Sequence, residues 1–183
     1  MFGRAPFVGF LLSALLAAAP PCKRKTEVYS SPDGALQAIV VTEATCEAWF
    51  DFQTTSPKRI LASRDERSED GEHGRFLVKA AWTSDSQFFI ASLQSTGGHQ
   101  PWAYPLSIYS RSKNRVFELS KFGATAIDVF TLKAGDIIKV PILGCSGLET
   151  KPDGTVVNQP TLVFDPHRFV SSGRLPVPQC PGR

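Results

Sequence analysis

The sequence predicts an all-β protein built as an antiparallel meander of hairpins. Short apolar segments alternate with polar residues at a period of two, as in strands that bury one face. Turn-forming residues separate these segments, and the chain contains 14 Gly and 14 Pro. The 3.6-residue period of a long helix is absent, and only residues 120–126 are compatible with a single helical turn.

The N-terminal segment has the features of a secretory signal peptide. Arg4 precedes an apolar run over residues 7–19 that ends in small residues. The run is shorter than the about 20 residues that a transmembrane helix needs. We therefore predict a signal peptide in residues 1–22 and an exported protein, located in the periplasm, the envelope or the medium. Three basic residues at 23–25 follow the run and oppose translocation, so an uncleaved anchor is the alternative.

Four cysteines fit an oxidising compartment. None are spaced as C-x-x-C, which predicts neither a thioredoxin-like site nor a zinc clip. We expect Cys46, Cys145 and Cys180 to supply structural disulfides, and four cysteines allow three full pairings. Cys22 follows the apolar run, so its lipidation is an alternative, although Pro21 fits a lipobox poorly.

Length and charge limit the domain count and the partners. A chain of 183 residues predicts a single domain, here residues 23–170, followed by a Pro-rich irregular tail over 171–183. The formal net charge of +3 is too small to indicate a nucleic-acid partner. Membrane contact is expected only through the N-terminal segment, if that segment is uncleaved or lipidated.

The first half of the domain is predicted to begin with a hairpin. Strands at 27–30 and 36–41 flank the turn Ser-Pro-Asp-Gly at 31–34. Residues 46–54 alternate cleanly, with one face expected to be buried (Cys46, Ala48, Phe50, Phe52) and the other exposed (Glu47, Trp49, Asp51, Gln53). Residues 56–75 are predicted to form a solvated loop, because eight of the twelve residues from 64 to 75 are charged. Their order differs from that of a calcium loop, so no metal site is predicted.

The second half is predicted to continue the meander. Strands at 76–82 and 88–93 come first, with one face of the earlier strand shared by Phe76, Val78, Ala80 and Trp82. Strands at 105–110 and 115–119 flank a turn, and a further pair at 126–132 and 137–143 flanks residues 134–136. The last strand lies within 156–164, where Pro160 indicates an edge or a bulge, and the chain is irregular from residue 165.

Three turn aspartates recur at a regular spacing. Asp33 and Asp85 are 52 residues apart, and Asp85 and Asp136 are 51 apart. These windows of about 15 residues resemble the turns of TolB-like and WD-type β-propeller repeats, although the third lacks the Ser-Pro and the following Gly. The resemblance implies blade-like hairpins. About three such units fit the chain, whereas closed propellers have four to eight blades, so the expected fold is propeller-blade-like locally and not a complete closed propeller. Chance recurrence of Asp in hairpin turns is the alternative.

The loop at 97–104 is the candidate binding surface. It places His99, Gln100, Trp102 and Tyr104 between two glycines and a strand. Such amphipathic side chains are frequent in protein-binding hot spots and in pockets that stack on sugar rings. We therefore expect contact with an envelope protein or a glycan. In the alternative, Trp102 and Tyr104 plug one end of the sheet.

The sequence offers little catalytic chemistry. Gly144-Cys145-Ser146-Gly147 is out of register with a hydrolase nucleophile motif, and the three histidines have no metal spacing. No cofactor is expected. The predicted function is an exported, non-catalytic binding or structural module of the cell envelope. Two alternatives remain: a secreted hydrolase using Cys145 or an acidic pair, and a fold element that completes its sheet by oligomerisation.

Overall fold

The structure, a computed structural model, describes residues 22–97, 102–143, 149–150, 156–157 and 159–178. Within these residues the chain forms antiparallel sheets and one short helix, and no sheet closes into a barrel. The predicted all-β class is confirmed. No helix in this part of the chain has the length and apolar character needed to cross a membrane.

The first sheet is a four-stranded meander in the order β1-β2-β3-β4. Its strands are β1 (Lys25–Ser30), β2 (Leu36–Thr42), β3 (Ala48–Thr54) and β4 (Arg59–Asp65). The alternation predicted for β3 is confirmed, because Ala48, Phe50 and Phe52 are all buried. One face of this sheet therefore contributes a continuous apolar surface to the core.

Strand β4 corrects the prediction of a solvated loop over 56–75. It pairs with β3 across a register shift at Phe52 and Gln53. One of its charged side chains, Arg64, forms an ion pair with Glu118 of another strand, 54 positions away. The density of charge in this segment therefore gave a wrong prediction, because a single sequence does not reveal such a distant partner. Only residues 66–74 form an irregular connection.

The middle sheet is a second meander in the order β5-β6-β7-β8. Its strands are β5 (Arg75–Trp82), β6 (Phe88–Ser95), β7 (Leu106–Ser110) and β8 (Arg115–Glu118). The predicted common face of β5 is wrong for Phe76 and Val78. The pairing shifts between Leu77 and Lys79, which reverses the alternation, so that Leu77 shares the core face with Ala80 and Trp82.

The third sheet has three strands in the order β13-β10-β9. These are β9 (Thr131–Lys133), β10 (Ile137–Pro141) and β13 (Thr161–Phe164), and the separate hairpin of β11 (Glu149–Thr150) and β12 (Val156–Val157) lies between β10 and β13 in sequence. Leu119–Phe122 forms a 3-10 turn, as residues 120–126 allowed.

A short helix, α1 (Pro166–Ser172), follows β13 and crosses the predicted domain boundary at residue 170. The prediction of an irregular chain from residue 165 is wrong here. Asp165 caps the helix by accepting the backbone N–H of His167, and Gly173 ends it in the left-handed region at φ 65°. Pro166 occupies the first turn, where its missing N–H costs nothing.

The three sheets stack face to face with the middle sheet between the other two. One apolar cluster joins the first sheet to the middle sheet through Phe50 and Phe52 against Phe89 and Tyr109. A second cluster joins the opposite face of the middle sheet to the third sheet and α1, and it includes Phe88, Ile108, Val140, Leu162 and Phe169. Strands β6 and β7 are consequently buried on both faces.

The turns of Asp33 and Asp85 are built by the same hydrogen bonds. In the first, the Ser31 hydroxyl donates to Asp33, and the backbone N–H of Leu36 donates to Ser31 Oγ. In the second, Thr83 replaces Ser31 and Phe88 replaces Leu36, each 52 positions later. The left-handed residues match as well, with φ of 70° at Gly34 and 62° at Ser86. Asp33 and Asp85 therefore occupy equivalent positions in two successive sheets.

Candidate functional site

The two ends of the stacked sheets differ in their connections. At one end, the turn end, lie the short turns that join β1 to β2, β5 to β6 and β9 to β10. At the opposite end, the loop end, the connections between the second and third strands of each sheet lengthen along the chain. They span residues 43–47, 96–105 and 142–160, respectively.

The turn end is held by hydrogen bonds between neighbouring turns. The backbone N–H of Asp33 donates to Ser86 Oγ at 3.0 Å. The Asp136 carboxylate accepts the backbone N–H groups of Ser84 at 2.7 Å and Asp85 at 3.2 Å. The Ser31 hydroxyl and Arg111 hold the pKa of Asp33 well below its usual range. The polar groups of this end are thus largely engaged with one another.

The loop predicted to bind a partner lies at the loop end. His99 and Gln100 fall outside the described residues. Trp102 is half-buried, and Tyr104 packs against the cluster between the middle and third sheets. The backbone N–H of Tyr104 donates to the Ala126 carbonyl at 2.9 Å. Tyr104 therefore anchors one end of the loop, and Trp102, two residues before it, is likewise half-buried.

The other end of this loop is anchored through Thr96. Its backbone N–H donates to the Gly74 carbonyl at 2.9 Å, and its hydroxyl lies 3.0 Å from the same oxygen and from the Glu72 carbonyl. The segment between Thr96 and Tyr104 is thus tied at both ends to different parts of the fold.

A buried glutamate, which sequence reasoning missed, supports this anchor. Glu47 is 1% exposed, and its carboxylate accepts the backbone N–H of Gly74 at 2.6 Å and the Ser68 hydroxyl at 2.5 Å. The alternation had placed Glu47 on the exposed face, but Cys46 has a φ of 71° and interrupts it. A Cβ at position 74 would lie 2.3 Å from Glu47 Oε1, so the close approach requires glycine.

The connection over 66–74 carries a hydrogen-bonded chain of polar side chains. His73 Nδ1 lies 2.5 Å from Asp70, and the Ser68 hydroxyl, whose single hydrogen Asp70 and Glu47 share, lies 2.7 Å from Asp70. The backbone N–H of Glu72, with Ser68 and His73, holds the pKa of Asp70 well below its usual range. Hydrogen bonding to Asp70 in turn raises the pKa of His73. No three metal-ligating side chains converge within the described residues.

Two arginines and two glutamates form a buried ionic cluster between the first and middle sheets. The Glu118 carboxylate accepts hydrogen bonds from the guanidinium groups of Arg64 at 2.9 Å and Arg75 at 3.2 Å. The Glu66 carboxylate accepts hydrogen bonds from the same two groups at 2.8 and 3.3 Å. Burial tends to raise the pKa of Glu118, but the Ser120 hydroxyl and the two arginines lower it on balance. Each charge is compensated within the cluster, which indicates a structural role.

Cys46 forms a disulfide with Cys22, with their Cα atoms 5.1 Å apart. The bond ties the chain just before β1 to the 43–47 connection at the loop end. It uses the sulfur that lipidation of Cys22 would require. It also makes Cys22 part of the folded chain, so cleavage of a signal peptide would have to occur before this residue and not after it. The other predicted disulfide cysteines, Cys145 and Cys180, lie outside the described residues.

Comparison with known proteins assigns no family. No protein-family model matches the chain, and no curated protein matches it. A solved structure from Clostridium novyi NT, provisionally described as a conserved lipoprotein, is similar at a TM-score of 0.47 and 14% sequence identity. The match covers 80% of this chain and 89% of the clostridial chain.

Proposed function

We propose that the protein is an exported, non-catalytic binding module of the cell envelope that contacts a partner through its loop end. Two features support export. The N-terminal apolar run has the length and flanking charge of a signal peptide. The Cys22–Cys46 disulfide is of the kind that persists in oxidising compartments.

The observation that carries the binding role is the difference between the two ends of the stack. Turns at the turn end are short, and they hydrogen-bond to one another. In the first sheet the connections at the two ends have equal length, whereas in the middle and third sheets the loop-end connections, 96–105 and 142–160, are longer than the turns. Each loop-end connection follows the same strand position in its sheet. Binding residues are concentrated in loops that a rigid scaffold positions, and this is the arrangement at the loop end.

Trp102 is the residue best placed to contact a partner. It lies between the anchors at Thr96 and Tyr104, and it is half-buried, so part of its ring faces solvent. An indole supplies a large apolar area with few rotatable bonds, and its N–H can donate a hydrogen bond. These properties suit stacking on a sugar ring or insertion into a protein surface.

Substitution by alanine separates binding from stability. We expect Trp102→Ala to keep the melting temperature of the wild type and to lose retention of partners from a native envelope extract, or of glycans on an array. Tyr104→Ala is expected to lower the melting temperature, because its ring packs in the core. Lys113→Ala, in the exposed turn between β7 and β8, is the matched control and should change neither measurement.

The glycan array and the extract distinguish the two classes of partner. If Trp102→Ala retains the same proteins and glycans as the wild type, the loop end is not the binding surface. Export is tested separately by fusing residues 1–22 to a reporter that is active only outside the cytoplasm. An inactive fusion would contradict export without bearing on the binding surface.

A further inference from the structure

The third sheet has an open edge at β13. The first and middle sheets each have four consecutive strands, whereas the third has three, in the order β9-β10-β13. Strand β13 pairs with β10 on one side only. The position next to β13 corresponds to that of β4 and β8 in the other two sheets. No strand of the described part of the chain occupies it.

The register shows which backbone groups of β13 face this open side. The N–H of Ile142 donates to the Pro160 carbonyl, so residues 160, 162 and 164 point toward β10. Hydrogen-bonded and non-bonded pairs alternate in an antiparallel ladder, and the N–H and C=O groups of Thr161 and Val163 therefore point away from β10. They form the unpaired edge to which another strand can add.

The C-terminal strap, residues 174–178, runs beside this edge without pairing to it. Leu175 packs against the core, but β13 makes no backbone hydrogen bond with the strap in the described structure. Pro176 and Pro178 have no N–H to donate. The strap covers the position of a fourth strand, and no described residue is hydrogen-bonded to the backbone groups of Thr161 and Val163 that point away from β10.

Two clefts open beside the strap, and Arg174 of the strap lines both. The inner cleft, of about 430 Å³, is otherwise formed by Phe122, Ala124 and Leu162 and by the rest of the strap. The outer cleft, of about 510 Å³, lies between β13 and α1 and includes Asp165 and Arg168. Both arginines are exposed, and neither is paired with a carboxylate among the described residues.

We propose that the edge of β13 accepts an extended, acidic segment of a partner protein as a fourth strand. The backbone of this segment pairs with Thr161 and Val163, and its side chains alternate between the two clefts. Apolar side chains pack on Phe122, Ala124 and Leu162, and acidic side chains reach Arg168, which belongs to α1 and stays in place when the strap leaves. The segment displaces the strap from the edge. This surface is separate from the loop end and does not depend on the function proposed for it.

The first test measures binding of a labelled eight-residue peptide of alternating valine and glutamate by fluorescence polarisation. The full chain is used. A peptide of alternating valine and lysine, and a valine–glutamate peptide with alternate backbone nitrogens methylated, are the controls. We expect saturable binding of the acidic peptide alone. Absence of binding at millimolar concentration, or equal binding of the methylated peptide, would overturn the proposal.

The second test blocks the edge from the protein side. Val163→Pro removes an N–H that β10 does not use, and proline is tolerated in edge strands. We expect this variant to have the circular dichroism spectrum of the wild type and to lose binding of the acidic peptide. Val163→Thr, which retains the N–H, should bind as the wild type does. Binding by a folded Val163→Pro variant at wild-type affinity would place the site elsewhere.

Two further variants address charge and the strap. Arg168→Glu should weaken binding of the acidic peptide about fivefold, as expected for loss of an exposed ion pair. Leu175→Ser should release the strap and strengthen binding. If the wild type instead forms dimers that Val163→Pro abolishes, and the peptide does not compete, the occupant is a second copy of the chain, and the partner proposed here is wrong.

Discussion

Replacement of Glu118 by glutamine tests whether the buried ionic cluster holds the first and middle sheets together. The Glu118 side chain is 9% exposed, and its carboxylate accepts hydrogen bonds from Arg64, Arg75 and the Ser120 hydroxyl. Glutamine keeps the shape but removes the charge, and it turns one acceptor oxygen into a donor that faces an arginine. Glu66 remains as the only carboxylate between the two guanidinium groups.

The expected loss follows from the burial of the partners. Breaking a fully buried ion pair costs about 3–5 kcal/mol because one charge is left uncompensated. Here the arginine side chains are about 30% exposed, so water screens part of the deficit. We therefore expect Glu118→Gln to lower the free energy of unfolding by about 2 kcal/mol. Glu69→Gln, at an exposed carboxylate with no ion pair in the described structure, should change it by less than about 0.5 kcal/mol.

Urea denaturation at two pH values supplies the assay. The folded-state pKa of Glu118 is lowered, so its contribution is complete above the unfolded-state pKa and is lost as the pH falls through the folded-state value. The difference between wild type and Glu118→Gln should thus be full at pH 7 and shrink below about pH 4. A difference at pH 7 no larger than that of Glu69→Gln, or one that does not change with pH, would refute the reasoning.

Three other substitutions have defined expectations. The double variant Cys22→Ser, Cys46→Ser removes a disulfide that spans 24 positions. The chain-entropy relation predicts a fall of about 3.4 kcal/mol in the free energy of unfolding. An unchanged midpoint of urea denaturation would contradict this prediction. Asp136→Ala removes three hydrogen bonds to the neighbouring turn and places alanine at a φ of 59°. The free energy of unfolding should fall by about 2 kcal/mol. Asp136→Asn should lower it less, because asparagine tolerates that φ. Ser107→Ala should be neutral or stabilise by up to about 1 kcal/mol, because the buried Ser107 hydroxyl has no hydrogen-bond partner among the described residues. A loss above about 1 kcal/mol in thermal unfolding would show that the hydroxyl is hydrogen-bonded.

Hydrophobic period and turn chemistry predicted the meander, because both are local properties of the sequence. The buried face of β3 and the turn before β2 were predicted from neighbouring residues alone. Strand β4 was not predicted, since its Arg64 is neutralised by Glu118 and by Glu66, and Glu118 comes from another sheet. The reversed face of β5 arises from a shifted pairing, which depends on the partner strand β6.

The sequence contains signals for helix α1, but they are limited to the residues at its two ends. Asp165, Pro166 and Gly173 are the residues that commonly begin and end a helix. Seven residues are too few to display a helical period. The cap signals were therefore the only local indication of this helix, and its packing through Phe169 against Phe164 and Phe122 supplies the rest of its stability.

The binding role of the loop at 97–104 stays a prediction. Composition singled out Trp102 and Tyr104, and only the tertiary structure reveals that Tyr104 packs against the core cluster and anchors the loop. Glu47 was missed because its partners Ser68 and Gly74 lie 21 and 27 positions away. Neither residue type nor spacing indicates such a contact in a single sequence.

The middle sheet limits where the chain can be truncated. Strands β6 and β7 are buried on both faces. One face packs against the first sheet, which precedes them in the chain, and the other packs against the third sheet and α1, which follow them. A fragment ending at β8 would expose the face that holds Phe88 and Ile108, and a fragment beginning at β5 would expose Phe89 and Tyr109. Either fragment would present a long apolar surface prone to aggregation. The backbone amides of β6 and β7 should accordingly exchange hydrogen most slowly, and only through global unfolding.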